Sequence, residues 1–167
     1  GGSDGAIRAW RLAGGALEPA GEAPGGRHHG GVLALQCDAA SGTVLSGGFD
    51  GTIMAWRLEG GGALRPAAGT VEAHRGRISA LHLDAASRTL VSAGIDRRLR
   101  VWRLLGAEGG LEPLAAADLG HAALALQLTG DGLVLSAGVG GPLGAWHLQG
   151  SELAPAPLAG AGAGAAP

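Results

Sequence analysis

Hydrophobic and polar residues alternate in short runs that are broken at even distances by turn residues. Between positions 78 and 116 the runs are ISALHL (78–83), TLVSAG (89–94), LRVWRL (99–104) and LEPLAA (111–116). DAAS (84–87), Asp96-Arg97-Arg98 and the stretch from Gly106 to Gly110 separate them. An earlier stretch repeats the order as VLALQC (32–37), TVLSGG (43–48), TIMAWRL (52–58) and ALRPAA (63–68). A two-residue period marks strands with one buried face. Evenly spaced short strands with Gly and Asp turns predict an all-β chain.

The runs belong to a longer repeat. Trp10, Trp56, Trp102 and Trp146 are spaced by 46, 46 and 44 residues, within IRAWRL (7–12), IMAWRL (53–58), LRVWRL (99–104) and LGAWHL (143–148). Ser46, Ser92 and Ser136 each precede a Trp by ten residues, and Asp4, Asp50 and Asp96 each precede one by six. His28 and His74 stand 28 residues before theirs; His121 stands 25 before Trp146, in a repeat with a shorter first hairpin. A four-strand unit of about 40–45 residues has the period of one propeller blade. The fourth run carries Pro19, Pro66, Pro113 and Pro155, each two residues after a Leu. Proline cannot donate to a ladder, so this strand is expected at the sheet edge. The period also predicts that the residues one and three before each Trp are buried: Ile7 and Ala9, Ile53 and Ala55, Leu99 and Val101, Leu143 and Ala145.

With this His–Ser–Asp–Trp spacing, residues 1 to about 156 resemble the WD-repeat (WD40, tryptophan–aspartate) β-propeller family. The Asp usual after the Trp is replaced by Arg11, Arg57, Arg103 and His147, and the glycine usual before the His survives only as Gly120. The resemblance implies an incomplete β-propeller of four-stranded antiparallel blades: a half-blade (1–22), three full blades (23–72, 73–118, 119–156) and an Ala/Gly/Pro-rich tail or linker (157–167). It also implies structural tetrads in which the His, Ser and Asp side chains connect to the Trp indole. These are His28, Ser46, Asp50 and Trp56, then His74, Ser92, Asp96 and Trp102. Partial sets are Asp4 with Trp10, and His121 with Ser136 and Trp146, where Gly140 replaces the Asp and the blade is expected to be looser.

His74, Ser92 and Asp96 could be misread as a hydrolytic triad, which needs a nucleophile presented to substrate and an oxyanion hole. Their recurrence as His28, Ser46 and Asp50 favours a structural network. No catalytic residue is assigned. Gln36 and Gln127 match His82, and there is no Cys pair, so no metal site or cofactor is expected. Cys37 matches Leu83 and Leu128 and is expected to be a small core residue. The clusters Gly14-Gly15, Gly60 to Gly62 and Gly109-Gly110 complete no phosphate-loop motif and are expected as turns.

Composition changes this picture in two ways. The 34 Gly and 8 Pro would suggest low complexity, but 46% apolar content is enough for a core. A net charge of −2 argues against a broadly basic nucleic-acid binder. No apolar run spans a bilayer, and no leader is visible. Every basic residue is Arg.

Strand counting predicts a fragment of a larger propeller protein. Its function is expected to be that of a protein–protein interaction scaffold in an intracellular setting, cytoplasmic or nuclear, with proteins or peptides as partners. An alternative follows from charge: residues 75–103 hold seven Arg against Asp84 and Asp96. The meander should bring Arg75 and Arg77 beside Arg97 and Arg98 on one rim, with Phe49 and Ile95 adding apolar contacts. Such a rim would recognise an acidic or phosphorylated partner. A third reading is an enzyme whose site lies in absent blades.

Overall fold

The computed structural model describes residues 1–23, 27–106 and 108–158. Among them the chain is all β, apart from a 3-10 turn at Gly60–Gly62. Strands β1 (Arg8–Ala13) and β2 (Ala16–Glu22) form a two-stranded antiparallel sheet. The next sheet holds β3 (Val32–Asp38), β4 (Thr43–Gly48), β5 (Thr52–Leu58) and β6 (Leu64–Pro66), with β7 (Val71–Glu72) also on β5. A third runs in the order β8 (Ile78–Asp84), β9 (Thr89–Gly94), β10 (Arg98–Leu105), β11 (Gly110–Asp118). The fourth is β12 (Ala123–Leu128), β13 (Leu133–Gly138), β14 (Gly144–Gln149), β15 (Glu152–Pro155). The result is half of one blade followed by three whole blades. Most of the tail expected at 157–167 lies outside the described residues.

The Trp of each repeat sits directly opposite that repeat's proline: Trp10 faces Pro19, Trp56 faces Pro66, Trp102 faces Pro113 and Trp146 faces Pro155. The proline-bearing strand is outermost in every blade, where a missing donor costs least. One expected strand is broken. ALRPAA is ladder only over β6, because the chain turns away to the next blade, where the Ala68 N–H donates to the Glu108 carbonyl at 3.1 Å. It returns to β5 as β7.

Blades stack through apolar layers. Leu45, Ile53 and Ala55 of the first full blade meet Ile78, Leu81, Leu83, Leu90 and Trp102 of the next. Val91, Leu99 and Val101 then meet Ala123, Leu128, Val134 and Trp146. Each fully buried aliphatic side chain contributes roughly 1.5–3 kcal/mol, so the interfaces between blades carry much of the stability. The inner strands also touch: the Gln36 amide donates to the Leu81 carbonyl at 3.1 Å, and the Ser79 hydroxyl to that of Ala123.

Two expected core positions are exposed because burial here needs a neighbouring blade. Leu143 is 53% exposed, whereas its counterparts Ile53 and Leu99 are covered by the blade that follows theirs. Cys37 is exposed, whereas Leu83 and Leu128 each pack against the preceding blade's inner strands. Among the described residues, the sheet before it holds β1 and β2 alone.

Candidate interaction surface and the networks behind it

In the two central blades, the loop entering the inner strand is joined to the second and third strands by a directed chain of hydrogen bonds. In the second, the Trp102 indole N–H donates to Ser92 Oγ at 3.0 Å, and Ser92 Oγ lies 2.8 Å from His74 Nε2. His74 Nδ1 lies 2.9 Å from Asp96 Oδ1. A carboxylate only accepts, so it fixes the proton on Nδ1 and leaves Nε2 to accept from Ser92. The first full blade repeats the chain from Trp56 to Ser46 at 2.9 Å, Ser46 to His28 at 2.7 Å and His28 to Asp50 at 3.0 Å. The Ser oxygen is thus held between indole and imidazole in both blades.

Burial pushes the His74 imidazole below its ordinary value, against the raising effect of Asp96, so it is held neutral. Burial also works to raise the Asp96 carboxyl. Hydrogen bonds from His74, the Arg100 guanidinium and the Arg75 backbone N–H outweigh it and hold Asp96 at about 2. Arg100 reaches Asp96 Oδ2 at 2.9 Å. Its counterpart in the preceding blade is Met54, and there the Thr52 hydroxyl donates to Asp50 instead, at 2.7 Å.

The last blade lacks the chain. Ser136 Oγ and His121 Nε2 are buried without a partner. The shortened loop lays the His121 ring over Gly141, while His28 and His74 lie over Gly48 and Gly94. The Trp146 ring covers Gly144, the position held elsewhere by Met54 and Arg100. In the half-blade, Asp4 pairs with Arg8 at 2.6 Å, and Trp10 is 56% exposed against 1%, 5% and 9% for Trp56, Trp102 and Trp146.

The Asp residues also shape the rim. Asp96 accepts from the backbone N–H of Arg75 at 3.1 Å and of Arg98 at 3.2 Å, which joins the loop entering β8 to the β9–β10 turn. Arg75 and Arg98 line a cleft of about 390 Å3 with Arg100, Asp96, Ala116 and Asp118. Arg97, exposed in the same turn, has φ 60° where the matching Gly5 and Gly51 both have φ 78°. Arg77 stands 6.0 Å from the centre of the Phe49 ring and so reaches back to the preceding blade. Among the described residues, the guanidinium groups of Arg75, Arg77, Arg97 and Arg98 have no carboxylate partner. Phe49 and Ile95 are exposed beside them, and so is Val139, the corresponding residue of the last blade. Sequence reasoning missed Val139 and Arg100. The first was legible as the residue before the turn position, the second as the basic residue four after the turn Asp.

Among the described residues no group of three or more His, Cys, Asp or Glu could hold a metal ion. No helix among them is long and apolar enough to cross a membrane.

Family comparison agrees with this geometry. The model of the WD domain, G-beta repeat, matches residues 26–57 and 67–103, which include the two complete hydrogen-bond chains. These two matched stretches support a WD-repeat family. No curated protein matches the chain. Among solved structures, the chain is similar to the computationally designed Ika4 protein, at 27% identity and a TM-score of 0.70, over 88% of this chain and 82% of that one. WD repeats in general serve as protein-interaction scaffolds, and the Asp-anchored turns give this one a fixed surface for that role.

Proposed function

We propose that this WD-repeat chain is a docking scaffold whose rim over the blades at 23–72 and 73–118 holds an acidic or phosphorylated peptide segment. The observation that carries this is the rim itself: four guanidinium groups without carboxylate partners among the described residues, bordered by Phe49 and Ile95. Arg97 adds weight. Holding a non-glycine residue in the left-handed region costs roughly 1–2 kcal/mol, and the two preceding turns avoid that cost with glycine. Guanidinium forks pair with carboxylate or phosphate in bidentate geometry. Catalysis is not part of this reading, because the Ser46 and Ser92 oxygens are buried and bonded on both sides.

Fluorescence anisotropy with matched neutral, acidic and phosphorylated peptides tests the rim. Binding is expected to favour the charged peptides, to weaken with salt, and to disappear when Arg75, Arg77, Arg97 and Arg98 are replaced by Ala. Equal binding of neutral peptides, or binding unchanged in the folded quadruple variant, overturns it.

A further inference from the structure

We propose that the cleft bounded by Arg75, Arg98, Arg100 and Asp118 selects a phosphorylated residue that has a Lys or Arg two positions away, and disfavours a run of acids. This rests on the reading of the rim as a peptide-docking surface and adds which peptides the rim accepts.

The positive half of the cleft is peculiar to one whole blade. Arg75 precedes β8, and Arg98 and Arg100 share one face of β10, so three guanidinium groups border a space of about 390 Å3. The same places hold His29, Thr52 and Met54 in the blade before, and Ala122, Pro142 and Gly144 in the blade after. One nitrogen of Arg100 bonds Asp96 at 2.9 Å, and its other N–H groups have no partner among the described residues. The half-blade gives its own arginine at this position an acid. Arg8, the counterpart of Arg100, lies opposite Glu22 in the ladder and bonds that carboxylate at 3.2 Å. Arg100 lies opposite Ala116, which lines the cleft and leaves the anion position to an outside group. A phosphate monoester brings three terminal oxygens and close to two negative charges at pH 7. It suits three converging guanidinium groups better than the two oxygens of a carboxylate do.

The negative half accounts for the basic neighbour. Asp118 lies opposite Arg98 in the ladder, yet among the described residues no ion pair joins them, and its carboxylate accepts from the Gly120 N–H at 2.8 Å. With Asp96 it sets two carboxylates against three guanidinium groups, so the cleft carries a single positive charge. A bound phosphate reverses that sign, and a cation beside Asp118 restores the balance. Ala116 and Asp118 are two residues apart on β11, and an extended segment laid along that strand presents side chains on one face at the same interval.

The test measures fluorescence anisotropy of the full chain with phosphoserine peptides carrying Lys, Ala or Glu two positions to either side of the phosphoserine. An unphosphorylated, uncharged peptide is the reference. The Lys peptide is expected to bind roughly three- to tenfold tighter than the Glu peptide, because one exposed ion pair is gained and one like-charge pair avoided. Asp118→Asn, which can still accept from Gly120, should close that gap. Ala116→Glu, a change at an exposed position, supplies Arg100 with the carboxylate that Arg8 already has. It should weaken phosphopeptide binding about tenfold without lowering Tm. Rim charge alone predicts the reverse order, with the Glu peptide tightest. That order, or undiminished binding by Ala116→Glu, overturns the cleft and leaves the rim standing. Equal binding of the uncharged reference overturns both. Tighter binding of soluble inositol trisphosphate than of the Lys peptide would make a lipid headgroup the occupant and overturns the proposal as well.

Discussion

Ser92 and Ser136 are the same residue at the same place in consecutive blades, both almost fully buried, yet only Ser92 has partners. Ser92→Ala strands two buried groups, the Trp102 indole N–H and His74 Nε2. A buried polar group left unpaired costs about 1–3 kcal/mol, so the loss should be roughly 2–5 kcal/mol. At roughly 2–4 °C per kcal/mol for a chain of this size, Tm should fall by about 5–15 °C. Ser136→Ala removes a hydroxyl that is already unpaired, so its effect should lie between neutral and a gain of about 1 kcal/mol. Calorimetry and urea unfolding of the two variants side by side measure the difference. A double-mutant cycle of Ser92→Ala with Trp102→Phe should return a coupling of about 1 kcal/mol between the two positions. Equal destabilisation by the two Ser→Ala changes would refute the hydrogen-bond chain as the source of stability.

Three further expectations follow from the same geometry. Arg97→Gly should stabilise the fold by about 1 kcal/mol by relieving φ 60°, and Gly140→Ala, at φ 73° with open space around it, should cost about the same; a loss for Arg97→Gly in urea unfolding would contradict this. Stability should fall in acid: Asp96 is held at about 2, below its ordinary 3.8, so its contribution is complete above about pH 4 and is lost toward pH 2, while the depressed His74 adds a loss in the same direction below about pH 6.5. Asp96→Asn should flatten the lower part of that profile in urea midpoints, and a wild-type profile flat from pH 7 to 3 would rule the linkage out. Leu143→Ser should leave Tm nearly unchanged while reducing self-association in sedimentation, because the side chain lies on an uncovered blade face.

The strands were legible because alternation is a local property. TVLSGG, TIMAWRL and TLVSAG are strands over their full length, and the Trp and Pro spacings translate directly into a facing pair. Burial was less legible because it depends on a second blade. Nothing in the runs around Cys37 or Leu143 distinguishes them from Leu83 or Leu99, whose neighbours exist. The break after Pro66 follows from a contact between Ala68 and Glu108, forty residues apart, which no local pattern encodes. The failure of the last network was half visible. Gly140 announced the missing carboxylate, and the shorter distance from His121 to Trp146 held the signal that the ring would miss Ser136 as well.

Core and rim are joined at one carboxylate. Asp96 accepts from His74 and the Arg98 backbone on one oxygen, and from the Arg75 backbone and Arg100 on the other. The first of these ends the chain that begins at the buried Trp102 indole, and the backbone bonds place the two residues that open the rim cleft. A surface fixed in this way loses little conformational freedom when a partner arrives, and that saving appears as affinity. It also decides how the rim can be dissected. Removing Asp96 would disturb the fold and the rim together, and any loss of binding would have two causes. Arg75, Arg77, Arg97 and Arg98 contribute their side chains to the surface and only their backbones to the turn, so their replacement by Ala separates recognition from folding.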